Sequence, residues 1–395
     1  MSEIREVVVL SGTRTAIGTY GGSLKNTSPG DLAALVVREA ISRARLSGSD
    51  IGHTVIGNVI HTEPRDMYIS RVAAVNAGIP VESPALTVNR LCGSGLQSIV
   101  SAAQIIMLGD ANTAVAGGVE NMSSSPYWSQ SMRWGQRMGE SKMIDAMNAA
   151  LHDPFQACHM GITAENIADK YSISREDQDA LAVESHKRAA NAIDQGYFKE
   201  QITAVELKSR KGTTIFDTDE HVRRDASIEG MAKLSTVFKD DGSVTAGNAS
   251  GINDGAAALT LAEASYAEKK GLSPMARLVG YSYAGVEPGL MGTGPIPAVR
   301  QLMEKTGLSI DDMDVIEANE AFAVQALAVL RELGLSEAKT NPHGSGISLG
   351  HPVGATGSII TVKALYELQR INGRYALVTM CIGGGQGIAA IFERI

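Results

Sequence analysis

The stretch Leu46-Ser-Gly-Ser-Asp50-Ile51, which runs into the strand-like His53-Thr-Val-Ile-Gly57, has a counterpart far along the chain. It is Leu308-Ser-Ile-Asp-Asp312-Met313, which precedes a strand-like run ending at Asn319. A second pair lies downstream: Cys92-Gly-Ser-Gly95 opens one helix-compatible stretch and His351-Pro-Val-Gly354 opens another. The two pairs keep their order and nearly their spacing, as two copies of one unit would. Generic strand-to-helix turns are the alternative reading. Around these anchors, Val7-Val8-Val9-Leu10 is a short apolar run, Asp31 to Ile41 has helical period, and Ala85-Leu-Thr-Val-Asn89 alternates like a strand. Such alternation marks layered α/β structure. From about Asn121 to Gly247 the character changes. That stretch holds Trp128 and Trp134 and the charged runs Lys208-Ser-Arg-Lys211 and His221-Val-Arg-Arg-Asp225. It reads as a less regular insertion that carries functional loops and assembly contacts.

Composition narrows the class. With 44% apolar and 20% charged among 395 residues, the chain is neither disordered nor, despite 42 Gly, collagen-like. A net charge of −8 and a pI near 5.6 argue against nucleic acid or an anionic membrane surface as the main partner, so an anionic ligand must meet a local basic patch. Cys92, Cys158 and Cys381 are too few for a disulfide framework and read as free thiols in a reducing compartment. The acidic N-terminus and the lack of a recognised C-terminal signal, together with no apparent membrane-length apolar segment, give the expectation of a soluble cytoplasmic protein.

Cys92 sits where a strand passes into a long helical stretch. Unpaired N–H groups at a helix start favour a thiolate, and Gly93 and Gly95 let substrate approach, so the reading is a nucleophile or else a small buried hydrophobe. Cys381 ends a strand that runs into Gly383, Gly384, Gly385 and Gly387, material for an anion site and for a second catalytic thiol, or simply a tight turn. His351 lies in the glycine-rich Gly344-Ser-Gly-Ile-Ser-Leu-Gly350 run. The repeat places it opposite Cys92, as base beside nucleophile. Cys158 has no such setting and is assigned to packing. Gly346-Ile-Ser348-Leu-Gly350 fits a nucleophile elbow, but no acid separates it from the only later His, so that reading fails. Phosphate-loop, dinucleotide and metal-spacing motifs are not found.

At this point the chain resembles the thiolases, in particular the acetyl-CoA acetyltransferase and β-ketothiolase group. The resemblance runs nearly end to end through Asn89-Arg-Leu-Cys92-Gly-Ser-Gly95, Gly117-Gly-Val-Glu-Asn121-Met, His159-Met160-Gly161, Thr245-Ala-Gly-Asn-Ala-Ser250-Gly-Ile-Asn-Asp254, Asn319-Glu-Ala-Phe322, Gly350-His351-Pro and Cys381-Ile-Gly383-Gly-Gly. It implies a duplicated five-layer αβαβα core. The expected halves are 1–120 plus 248–272, and 273–395, with 121–247 as an inserted loop domain for coenzyme A and oligomer contacts. It also implies acyl transfer through Cys92, with His351 taking its proton and Cys381 moving a proton at the carbon of a second acetyl-CoA. Asn319 would act through a water, and the N–H groups of Cys92 and Gly383 would hold the acyl oxygen. Coenzyme A would lie beside Leu151, His159, Ala246, Ala249, Ser250 and Phe322, with Met160 at the acyl group and Arg223 near the phosphates. No metal or resident cofactor is implied, coenzyme A thioesters being substrates, and a homotetramer is expected. His343 stands where the family usually has Asn, for which only a modest effect is expected. A β-ketoacyl synthase would lack the second thiol, and a non-catalytic lipid carrier would not need all four of Cys92, Asn319, His351 and Cys381.

Overall fold

The repeated Leu-Ser-x-x-Asp signature turns out to be an entry into a strand. Ser47 donates through N and Oγ to Asp50 Oδ2, and Ser309 does the same to Asp312 Oδ2, each closing a single helical turn ahead of a sheet strand. The computed structural model describes residues 5–210 and 212–395, so the first four residues and Lys211 of the charged run lie outside the described residues. The N-terminal half is built from β1 (Val7–Arg14), α1 (Pro29–Arg43), β2 (His53–Gly57), α2 (Ile69–Asn76), β3 (Ala85–Val88), α3 (Ser94–Leu108) and β4 (Thr113–Asn121). The segment that follows contributes α4 (Met160–Tyr171) and α5 (Arg175–Asp194), and β5 (Asn253–Glu263) returns to the first half. The C-terminal half consists of β6 (Ala276–Gly285), α6 (Pro295–Thr306), β7 (Val315–Ala318), α7 (Ala323–Leu333), α8 (Thr356–Ile371), β8 (Tyr375–Ile382) and β9 (Gln386–Arg394).

Both halves repeat one topology. In the first, the strand order is β3-β2-β4-β5-β1, with β2 parallel to its two neighbours and the remaining pairs antiparallel. In the second, it is β7-β8-β9-β6, with β7 and β8 parallel and the rest antiparallel; a parallel bridge from Ile316 to Thr340 stands where the first half has β3. The sheets join through a short antiparallel pairing of Val8 and Val9 with Arg277 and Ala276. β1 and β4 are buried on both faces, which is why they read as continuous apolar and small residues rather than as an alternation.

Helices cover these sheets in layers. Leu32, Val36, Val37 and Ile69 of α1 and α2 pack on Ile56, Val115 and Val119 outside the first sheet. Val299, Leu302 and Val329 of α6 and α7 pack on Ile316, Leu377 and Ile391 outside the second. Between the sheets lie α3 and α8, whose Leu96, Ile99, Val100, Ile359, Ile360 and Leu365 share one core with strands of both halves. The result is the αβαβα stack. The apolar segment Leu91–Leu108 is long and apolar enough to cross a membrane, contrary to the sequence expectation, yet it is mostly buried as this central helix.

Helices α3 and α8 touch at glycines in equivalent positions. A Cβ on Gly357 would lie 2.2 Å from the Leu96 nitrogen and one on Gly95 would lie 2.6 Å from the Ser358 nitrogen, while Ser358 Oγ donates to Gly95 O at 2.8 Å. The interval that relates the capping turns also relates β2 to β7, α3 to α8 and β4 to β8. At that interval Gly354, not His351, is the counterpart of Cys92, so the expected one-to-one match of base and nucleophile is displaced along the turn. The segment 121–247 is also more regular than its composition suggests, since α5 alone runs for 20 residues.

Candidate active site

Cys92 owes its position to a strained turn. After β3, Asn89 Oδ1 accepts the Leu91 N–H at 2.9 Å, Leu91 adopts φ +46°, and Ser94 Oγ accepts from Arg90 N at 2.8 Å while donating to Leu91 O at 2.7 Å. A non-glycine residue in the left-handed region costs energy, and this hydrogen-bonded loop supplies the restraint that holds it there. Gly93 follows, where a Cβ would meet Ile382 Cδ1 at 2.6 Å, so glycine lets the start of α3 press against the end of β8. The N–H groups of Gly383 and of Cys92 itself act to lower the pKa of the Cys92 thiol. The helix start was expected to favour a thiolate. Instead, desolvation pushes the thiol up to about 11, outweighing both N–H groups, and the charge of Glu120 adds to the effect.

His351 is buried on the other side of the site. Thr356 Oγ1 donates to Pro352 O at 2.9 Å, so its single proton is committed and it accepts from His351 Nδ1–H at 2.7 Å. That assigns the tautomer and leaves Nε2 as the basic nitrogen, with Asn319 Nδ2 at 3.4 Å. Burial lowers the His351 pKa to about 4. The first half holds this turn: His351 N donates to Asn253 Oδ1 of β5 at 2.9 Å, and Gly350, at φ +110°, would place a Cβ 2.5 Å from the same side chain. Cys381, near the end of β8, is wholly buried, and burial together with the neighbouring Cys92 raises its thiol far above the ordinary range. Thiol, imidazole and thiol therefore rest in their neutral forms.

Cys92, His351 and Cys381 open on one cavity of about 590 Å³. Leu151, His159, Met160, Arg223, Ala246, Ala249, Ser250 and Phe322 line the same cavity. Asn319 and Gly383 stand behind this lining, Asn319 reaching it through His351 and Gly383 through its N–H on the Cys92 sulfur. One wall is a strand-like run: Ser250 N donates to Ala321 O at 2.9 Å and Ala323 N to Asn248 O at 2.8 Å, which brings Ala249 beside Phe322. His159 accepts the Gly161 N–H through Nδ1 at the start of α4 and stacks on Phe238, with ring centroids 4.6 Å apart. Arg223 is exposed, as a residue at the rim must be to meet a solvated anion.

Sequence reasoning missed Tyr20, Met122, His221, Phe238, Met291 and Val353, which also line the cavity. None has a local signature: an apolar side chain on a loop looks the same whether it meets a ligand or the core, and His221 stands in a charged run without a glycine-rich or strand-to-helix setting. Cys158 is half-buried on a two-residue strand paired with Asp153 and is not part of the cavity lining. Ser348 of the rejected elbow is buried, bonded to Ser185 Oγ at 2.8 Å. His343 contacts Glu367 Oε2 through Nε2 at 2.7 Å and packs near Tyr197, on the side of α8 away from the cavity lining.

Comparison with known proteins agrees with this geometry. Residues 7–265 match the thiolase N-terminal domain and residues 272–394 the thiolase C-terminal domain. The chain is 65% identical over 392 residues to the beta-ketothiolase BktB of Cupriavidus necator, covering 99% of this chain and 100% of that one. Its fold superimposes on the crystal structure of the Bacillus anthracis acetyl-CoA acetyltransferase with a TM-score of 0.98, at 45% identity and full coverage of both chains. It also superimposes on human mitochondrial 3-ketoacyl-CoA thiolase in complex with CoA with a TM-score of 0.96, at 43% identity, covering 99% and 98% of the two chains. With both domains matched in order and two thiols and an imidazole meeting in one cavity, the chain belongs to the thiolase family.

Proposed function

We propose that this thiolase catalyses the reversible Claisen condensation of two acetyl-CoA to acetoacetyl-CoA and CoA, and the thiolysis of short 3-ketoacyl-CoA, by a ping-pong route through acyl-Cys92. The observation that carries the reading is the convergence of Cys92, His351 and Cys381 on one cavity. Because all three groups rest neutral, the protons can be followed. Cys92 Sγ attacks the thioester carbonyl as His351 Nε2 takes its proton, and the carbonyl oxygen is held by the N–H groups of Cys92 and Gly383. The departing CoA sulfur takes a proton from Cys381, leaving a thiolate in place to remove one from the methyl carbon of the second acetyl-CoA. The enolate oxygen is held by protonated His351 and by a water bound to Asn319, whose Oδ1 is buried with no protein partner among the described residues. Carbon attack on acyl-Cys92 then releases the sulfur, which recovers its proton from His351. The Cys92 proton returns through His351, while Cys381 gives its own to the departing CoA and takes its replacement from the methyl carbon, so each group ends in its starting form and no resident cofactor enters the balance.

A broader chain length than acetyl is favoured by one feature. Met122, Met160 and Met291 border the cavity, and unbranched thioethers repack around acyl groups of different size. The free thiols suit a reducing cytoplasm, and the exposed Tyr127, Trp128, Met132 and Trp134 suit a buried contact in a homotetramer. Thiolysis of 3-ketoacyl-CoA substrates of increasing length tests the assignment. Turnover of the acetoacetyl and next longer substrates is expected, with at least about a thousandfold loss in Cys92→Ala. Normal thiolysis by Cys92→Ala would refute the acyl-enzyme.

A further inference from the structure

Glu120, near the end of β4, is wholly buried and takes no part in the reaction described above. Its Oε1 accepts from Asn58 Nδ2 and Ile60 N, both at 3.0 Å, and its Oε2 from Val59 N at 3.1 Å and Gly354 N at 2.9 Å. Burial pushes the carboxyl up, to about 8, and the backbone donors pull it down. Four N–H donors with no acceptor among them leave no place for a proton, so the cage is built for the carboxylate. Three donors belong to the loop after β2 in the first half. The fourth belongs to the turn that follows His351 in the second.

The contact has no slack. A Cβ on Gly354 would sit 2.6 Å from Glu120 Oε2 and 2.9 Å from Val119 O, and one on Gly118 would sit 2.2 Å from Gly354 O. Val59 and Ile60 also pack with Met122, Val353 and Cys92 in one apolar cluster, so the residues that grip Glu120 border the nucleophile. Asp66 also faces Glu120, while His351 and Cys381 share the cavity with Cys92. We propose that Glu120 is a positioning residue: it staples the His351–Gly354 turn of the second half onto the half that carries Cys92 and so sets the register of base and nucleophile. This inference rests on the assignment of Cys92 and His351 to the reaction.

Turnover by the wild type and its loss in Cys92→Ala and in His351→Ala settle that assignment separately, so its failure is told apart from failure of the staple. Glu120→Gln turns an amide nitrogen toward N–H donors. It is expected to lower kcat by roughly 10–100-fold, with KM changed much less, because sub-ångström misplacement acts on the reacting geometry. The pH midpoint for iodoacetamide alkylation at Cys92, followed by mass spectrometry, should move to lower pH as a buried negative charge beside the sulfur is removed. A folded Glu120→Gln protein with wild-type kcat and an unmoved midpoint overturns the proposal, as does a lowered melting temperature with kcat intact. Should that variant not fold, Asn58→Ala removes one donor and keeps the charge: a loss of roughly 3–10-fold in kcat supports the staple, and wild-type kcat in the folded protein overturns it.

Discussion

Burial pushes the Cys92 thiol up to about 11 and pulls the His351 imidazole of the same cavity down to about 4, which favours the neutral form of each. The sign of the pH dependence follows. His351 must be unprotonated to act as base, and its lowered pKa keeps it so well below the ordinary imidazole range. The acid limb of kcat/KM attributable to His351 should therefore lie toward about pH 4, and a pH–rate profile limited near 6.5 would show that the ring is solvated in the working enzyme. Glu367 is a depressed acid: burial raises its carboxyl, but hydrogen bonds from Arg370 and His343 lower it further, to about 2. Stability from a depressed carboxylate is present above its unfolded pKa and lost as pH falls toward about 2, so the Glu367 carboxylate with Arg370 supports α8 at neutral pH, outside the cavity lining.

At the scale of elements, the meeting of α3 and α8 sets the distance between the halves. Ala is the better helix former by about 1 kcal/mol, so Gly95 and Gly357 are retained against local preference. At Gly357 the atom that a Cβ would strike is backbone nitrogen, which cannot rotate away. Gly357→Ala should thus destabilise the protein by about 1–3 kcal/mol despite its higher helix propensity, measured as a lowered denaturation midpoint. An unchanged or raised midpoint would mean that the two helices can slide apart freely. The elements themselves were largely legible: α1, β2 and α3 fall where periodicity and glycine placement put them. The helices of the 121–247 segment were less so, because a charged stretch without a clear apolar stripe conceals α5, whose buried face mixes Ala and Val with Gln, Asp, Ser and His.

For the whole molecule, two α/β units face each other so that Cys92 comes from one half and His351 and Cys381 from the other. The apolar patch on the 121–247 segment adds a further level: Trp134 is 92% exposed and Met138 84% exposed, unusual for large apolar side chains with no partner. If the proposed tetramer forms through this patch, replacing Trp128 and Trp134 by Ser should shift the particle seen by light scattering toward smaller species, while a monomeric wild type would refute the assembly. Sequence by itself determined the α/β class and the duplication, because strand runs, helical period and the repeated Leu-Ser-x-x-Asp turn leave local traces; glycine settings drew out Cys92, His351 and Cys381 as candidates, and their roles came from the family resemblance. Only tertiary structure decided that the resting thiols are neutral, that Gly354 rather than His351 is the counterpart of Cys92, and that Phe238 and Met291 line the cavity. Desolvation and convergence depend on what the fold brings together, and residues far apart in the chain carry no local record of it.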